Sequence, residues 1–208
     1  MAEIECFFDC SSPWTYFAFE SLLSMQDSIN VTIEWRPFLV GGVFNAVNQS
    51  VYNSRDKPVP AKQAYGKKDQ EDWARYLGLK MHYRPSVFPV NSVKAMRACI
   101  VLEPMETLVP FARAVFKAYW TDDKDISQPS ILAEICDELG VNSAWLLAEI
   151  EKQPVKDRLR TNTQEAIDRG AFGSPTMFVG GNDMYFGNDR MPLIRDAVLR
   201  LREAHAAG

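Results

Sequence analysis

The first chemical question lies near the N-terminus. The stretch FFDCSSPWTYFAFESL, residues 7–22, sets Cys10, Ser11 and Ser12 just ahead of Pro13. A thiol or hydroxyl held at the start of a helix can stabilise an anion, because backbone N–H groups and the helix dipole converge there. Ser12-Pro13 reads as an N-cap followed by proline at the first helical position. Ser12 is therefore in register with the helix start, and Cys10 falls two residues ahead of it. Disulfide exchange in this register would need thiols at positions 12 and 15, where the chain carries Ser12 and Thr15. The site is expected to hold a thiol brought by another molecule, with Cys10 as a small buried neighbour. Cys6, Cys99 and Cys136 sit in apolar patterns and are expected in the core.

The elements that must position Ser12 follow from the hydrophobic period. Ile4–Phe8 reads as a short buried strand, the residues after Pro13 as a helix, and Val31–Trp35 as a second strand by its alternation. Strand, helix and strand in this order predict a parallel βαβ unit. GGVFNAVNQSVYNSRDKPVPAK then reads as a loop, and residues 63–169 as mainly helical, with breaks at FPVN and DISQPS. The period returns to two at Pro175–Val179 and Met184–Phe186, joined by Gly180–Asp183 as a hairpin turn. A last amphipathic helix runs from Met191 to about Ala204. A βαβ half and a ββα half make an α/β thioredoxin-like fold. The expected division is 1–62 with 170–208 as that fold, and 63–169 as a helical insertion. Pro175 is then the proline facing the start of the first helix, with its isomer left open.

Composition narrows the function classes. The chain has 208 residues, 47% hydrophobic and 24% charged, with net charge -4. That is ordinary globular composition, and the charge argues against a nucleic-acid binder. No stretch reads as a signal peptide or a membrane span, so a cytoplasmic protein with reduced thiols is expected. The four cysteines show no zinc-like spacing. The two histidines, His82 and His205, stand far apart, and no metal is expected.

Five stretches in consistent order, FFDCSSPWTYFA, WRPFLVGGVF, FPVNSVKAMR, GAFGSPTMFVGG and FGNDRMPLI, resemble the 2-hydroxychromene-2-carboxylate isomerases. These are relatives of the kappa-class glutathione transferases and share a DsbA-like thioredoxin fold. The resemblance covers nearly the whole chain and implies a homodimer with glutathione as cofactor. It implies that Ser12 hydrogen-bonds the glutathione sulfur. It also implies that Ser174, before Pro175, pairs its backbone with the glutathione cysteine. Gly187, Asn188 and Asp189 would hold the γ-glutamyl end, Phe186 would also bind glutathione, and Asn53, or alternatively Asn48, would make a further contact. By position, Trp14, Trp35, Arg36, Phe44 and Asn91 are the candidates for contact with a small aromatic 2-oxo acid substrate. The expected reaction is the glutathione-dependent cis–trans conversion of 2-hydroxychromene-2-carboxylate to trans-o-hydroxybenzylidenepyruvate, as in naphthalene-type aromatic degradation. In it a thiolate adds to the conjugated carbon, the former double bond rotates, and the thiolate leaves. A kappa-like transferase conjugating electrophiles is the first alternative, and a DsbA-like thiol–disulfide oxidoreductase the second.

Overall fold

In the computed structural model, residues 2–206 are described. The elements run β1 (Ile4–Phe8), α1 (Pro13–Ile29), β2 (Ile33–Pro37), α2 (Val40–Val47), α3 (Ser50–Asp56) and α4 (Pro60–Tyr76). Then follow α5 (Val93–Leu102), α6 (Leu108–Trp120), α7 (Pro129–Glu138), α8 (Ser143–Glu149) and α9 (Gln153–Asp168). The chain closes with β3 (Thr176–Val179), β4 (Asp183–Phe186) and α10 (Met191–Ala206); 3₁₀ turns cover Glu103–Met105 and Asn188–Arg190. The sheet order is β2-β1-β3-β4, with β1 and β2 parallel and the other pairs antiparallel. This is the α/β thioredoxin-like fold expected from the βαβ and ββα halves.

β1 is the inner strand that decides both faces. Ile4, Cys6 and Phe8 join the large core under α1, and Phe7 points the other way, into a smaller cluster with Phe38, Val43, Ala166 and Phe178. This period-two split explains why IECFF carries almost no polar residue: both faces of the sheet are covered. Phe7 meets Phe38 and Phe178 edge-on at 6.0 and 5.8 Å. Burying such a ring stabilises the fold by roughly 1.5–3 kcal/mol.

The helical segment is not a separate core. Tyr16 on α1 stacks on Phe116 of α6 at 5.1 Å, and Phe19 packs on Phe116 at 5.2 Å and on Trp35 at 4.2 Å. Trp120 at the end of α6 is fully buried, and its Nε1 donates to the Cys10 carbonyl at 3.0 Å. These contacts lock the β1–α1 loop to the inserted helices, so the site grows on a floor that both segments build.

Two expectations about elements are corrected. β2 runs two residues later than the alternation at Val31–Trp35 indicates, because its register on β1 pairs Ile4 with Ile33 and Phe8 with Pro37. It is an edge strand, where proline is tolerated. The segment read as a loop holds α2, α3 and the start of α4. Glycine and asparagine disfavour helix locally, but packing overrides this: a Cβ at Gly42 would come 3.0 Å from Thr163 Cγ2. Gly42 permits α2 to approach α9; it does not make a turn.

Candidate active site

The end of β1 delivers Ser12 to the first turn of α1. Ser12 Oγ accepts from Thr15 N at 3.3 Å and donates to the Ser174 carbonyl at 3.1 Å. The Thr15 and Ser174 hydroxyls meet at 2.7 Å. Ser174–Pro175 is a cis peptide bond, which answers the isomer question left open by the sequence. Residues 162 positions apart in the chain thus face each other across one hydroxyl. Ser12 is 9% exposed and Ser174 is 5%, so both are oriented by packing rather than by solvent.

Beside them lies a cavity of about 750 Å³, within the range of roughly 300–1,000 Å³ usual for small-molecule sites. Its wall brings together Ser12, Trp14, Phe44, Asn91, Ser174 and Phe186. Phe186 also packs on Phe172 at 4.4 Å. A Cβ at Gly173 would come within 2.7 Å of Phe186 Cε2, so this glycine is what lets the ring lie against the backbone. Asn91 Oδ1 accepts from Val93 N and caps the approach to α5.

Other expected contacts lie elsewhere. Pro175 is buried next to Ser174 and does not line the cavity. Asn53 sits exposed on α3 away from the cavity wall; Asn48 lines it instead, and its Nδ2 donates to the Phe172 carbonyl at 3.0 Å. Gly187 takes φ +99°, a conformation open to glycine, and its N–H donates to the Pro175 carbonyl at 3.3 Å. Asn188 and Asp189 turn toward a second cavity of about 740 Å³ shared by α1, α4 and α10. Asp189 is exposed and pairs with Arg190 at 2.8 Å.

Trp35 and Arg36, expected by position near the substrate, lie off the cavity. Trp35 follows the parity of Cys6 and Phe8 and is buried against Phe8 and Phe19. Arg36 follows Phe7 to the opposite face, where it lies 5.4 Å from that ring and pairs with Glu34 and Glu165. Neither lines the cavity.

Pro89 stands in the cavity wall as well. Phe88–Pro89 is also cis, and both residues line the cavity. The FPVN break is its signal in the sequence, where Asn91 is the residue singled out. The Gln70 side chain on α4 also reaches the cavity, and nothing in its local pattern marked it.

All four cysteines are free and buried. Burial pushes the Cys10 thiol well above the ordinary cysteine range, and the neighbouring Cys99 thiol adds to the shift. Cys10 therefore stays protonated and weakly nucleophilic. Among the described residues, no group of three His, Cys, Asp or Glu is arranged to hold a metal ion.

A family model for the DsbA-like thioredoxin domain matches residues 3–199. The chain belongs to the DsbA-like thioredoxin domain family. This DsbA-like chain is 28% identical to the 2-hydroxychromene-2-carboxylate isomerase of Pseudomonas putida, over 98% of its own length and 97% of the relative's. It is 29% identical to the glutathione S-transferase kappa 1 of Homo sapiens, over 92% of its length and 88% of that protein's. A solved 2-hydroxychromene-2-carboxylate isomerase structure superposes with a TM-score of 0.83 at 24% identity, covering 98% of each chain. Within this DsbA-like frame, Ser12 and Thr15 put hydroxyls at the helix start, and no helix of the described residues is long and apolar enough to cross a membrane.

Proposed function

We propose that the protein is a glutathione-dependent cis–trans isomerase of the 2-hydroxychromene-2-carboxylate type. One observation carries the reading: the α1 N-terminus presents a hydroxyl, Ser12, opposite the cis Ser174–Pro175 bond, beside a cavity with no cysteine on its wall. The donor set fits a thiol-bearing peptide. Ser174 offers a backbone edge, Ser12 a hydroxyl, and α1 its N-terminal N–H groups.

When bound, glutathione supplies the nucleophilic thiolate that adds to and leaves the conjugated carbon of the substrate. The chain's own residues prepare it. The Ser12 hydroxyl turns from the Ser174 carbonyl to donate to sulfur, and the carbonyl becomes free to accept an amide N–H from the peptide. The N-terminus of α1 favours the anion there. The 3₁₀ turn from Asn188 to Arg190 would offer backbone donors for the γ-glutamyl carboxylate, with Asp189 for its ammonium group, and Gly187, whose N–H is held by the Pro175 carbonyl, would set the turn's approach. Trp14, Phe44, Phe186 and Asn91 form the wall against which an aromatic 2-oxo acid would lie. A homodimer belongs to the same reading.

The experiment is direct. Purified protein with glutathione should convert 2-hydroxychromene-2-carboxylate, with glutathione needed and not consumed. An unchanged chromene spectrum would overturn the assignment. A kappa-like transferase is the second reading, favoured by the comparable identity to the human kappa protein. Consumption of glutathione in a chlorodinitrobenzene assay, without isomerisation, would select it. A disulfide oxidoreductase is disfavoured by Ser12 and Thr15, and an insulin-reduction assay should be negative.

A further inference from the structure

Asp9 has unusual surroundings for a carboxylate. It is 1% exposed, yet it belongs to the wall of the cavity beside Ser12. Its Oδ1 accepts from Ser11 N at 2.9 Å and from Ser11 Oγ at 2.8 Å. Its Oδ2 accepts from Val40 N at 3.0 Å, in the first turn of α2, and the Ser92 hydroxyl before α5 also donates to the carboxylate. No cation pairs with it among the described residues. The titratable groups packed closest are Cys10 on its own loop and, beyond it, Cys99 from α5; both are buried thiols. Burial pushes the Asp9 carboxyl above the usual carboxylate range, while the four hydrogen bonds pull it the other way.

A buried carboxylate with no cation is a good proton acceptor, because taking a proton removes the cost of a desolvated charge. Asp9 has one hydroxyl link to the cavity. Ser11 is half-buried, lines the cavity, and neighbours Ser12 on the same loop. A thiolate at Ser12 and an ionised Asp9 would also repel each other, so the favoured state there holds one negative charge and one proton between the two.

We propose that Asp9, acting through the Ser11 hydroxyl, takes the proton that the glutathione thiol gives up on binding. The proposal rests on the glutathione reading of the cavity. In this step the S–H bond breaks as its proton passes to Ser11 Oγ. The former Ser11 O–H bond breaks as that proton bonds to Asp9 Oδ1. The negative charge moves from Asp9 to sulfur, and nothing is oxidised or reduced. Ser11 touches the thiol, and Asp9 is a positioning residue for the proton.

The test counts protons. Calorimetric titration of the intact protein with glutathione, in buffers of different ionisation enthalpy, gives the protons released, and ultraviolet difference spectra give the thiolate formed. Wild-type protein should form thiolate at neutral pH with no net proton release. Ser11→Ala keeps the Asp9 bonds to the backbone N–H of position 11, to Val40 N and to Ser92, so its proton count should stay near zero while thiolate formation in stopped-flow mixing slows, the relay being broken. Asp9→Asn has no carboxylate to take the proton and should release about one proton per thiolate; if it does not fold, the wild-type proton count and the Ser11→Ala rate decide. Release of a proton for each wild-type thiolate overturns the proposal, as does an unchanged rate of thiolate formation in Ser11→Ala. Wild-type binding without thiolate also overturns it. Folded wild-type protein that binds no glutathione overturns the glutathione reading itself, and the proposal with it.

Discussion

Two regions at the sheet handle charge in opposite ways. On the face of Phe7 and Phe178, Arg36 and Arg169 bind Glu34, Glu5 and Glu165, and both guanidinium groups lie over aromatic rings, Arg169 at 3.7 Å from Phe178. At the end of β1, Asp9 is buried with hydroxyl and N–H donors only. The first region pairs its guanidinium groups with carboxylates of its own. The second leaves hydroxyls, helix N-termini and one unpaired carboxylate beside a cavity. A dense cluster of charged residues here marks structure, and a sparse one marks the site.

The largest effect should come from Ser12→Ala. Removing the hydroxyl donor should lower glutathione-dependent turnover by about 10²–10³-fold, as loss of one anion-stabilising donor does elsewhere. Stability should fall by only about 1 kcal/mol, from the lost N-cap. Steady-state kinetics beside urea unfolding separates the two. Equal small losses in both would reduce Ser12 to a helix cap.

Arg169→Ala should do the reverse. It removes the bidentate pair to Glu5, the bond to Glu165 and the bond to the Gly181 carbonyl. A stability loss of about 1.5–3 kcal/mol is expected from hydrogen bonds to charged groups, with glutathione affinity unchanged. A large loss of affinity in a protein that unfolds normally would erase the contrast between the regions.

Gly173→Ala probes the cavity wall alone. The added Cβ must push the Phe186 ring aside, at a cost of about 1–3 kcal/mol for an overpacked site. Weaker substrate binding is expected with thiolate formation preserved, read as a raised KM against an unchanged thiolate spectrum.

The smallest effect concerns pH. The Arg202 guanidinium, bonded to Glu3, holds that carboxyl at about 2, below its ordinary 4.5. A depressed carboxylate adds stability above its unfolded value and loses it as pH falls. Glu3→Gln should therefore flatten the acid limb of unfolding between about pH 4.5 and 2, and leave stability above that window with little pH slope from this pair. An unchanged acid limb would show that the pair contributes nothing measurable.

The two regions also differ in how legible they were. Ser12 was readable because an N-cap, a proline and an apolar strand are local signals, and Pro175 was readable from the apolar strand β3 that follows it. Trp35 and Arg36 lie off the cavity because side-chain direction depends on strand parity, and the register of β2 on β1 is a property of the pair. The resemblance puts Asn53 ahead of Asn48; in the structure Asn48, just after α2, lines the cavity and Asn53 is exposed on α3. Asn188 was found by motif, but its side chain faces the cavity on the far side of its turn. The bonds of Asp9 come from the β1–α1 loop, the start of α2 and the residue before α5 at once, and no local pattern encodes such a meeting point.

The central claim is that the reactive thiol is a visiting one, held by Ser12 and not supplied by Cys10. Ultraviolet difference titration with glutathione tests it on wild-type, Ser12→Ala and Cys10→Ala proteins. The account predicts a thiolate band of equal size in wild type and Cys10→Ala, and a band strongly diminished in Ser12→Ala. A band that disappears with Cys10→Ala and persists in Ser12→Ala would contradict it.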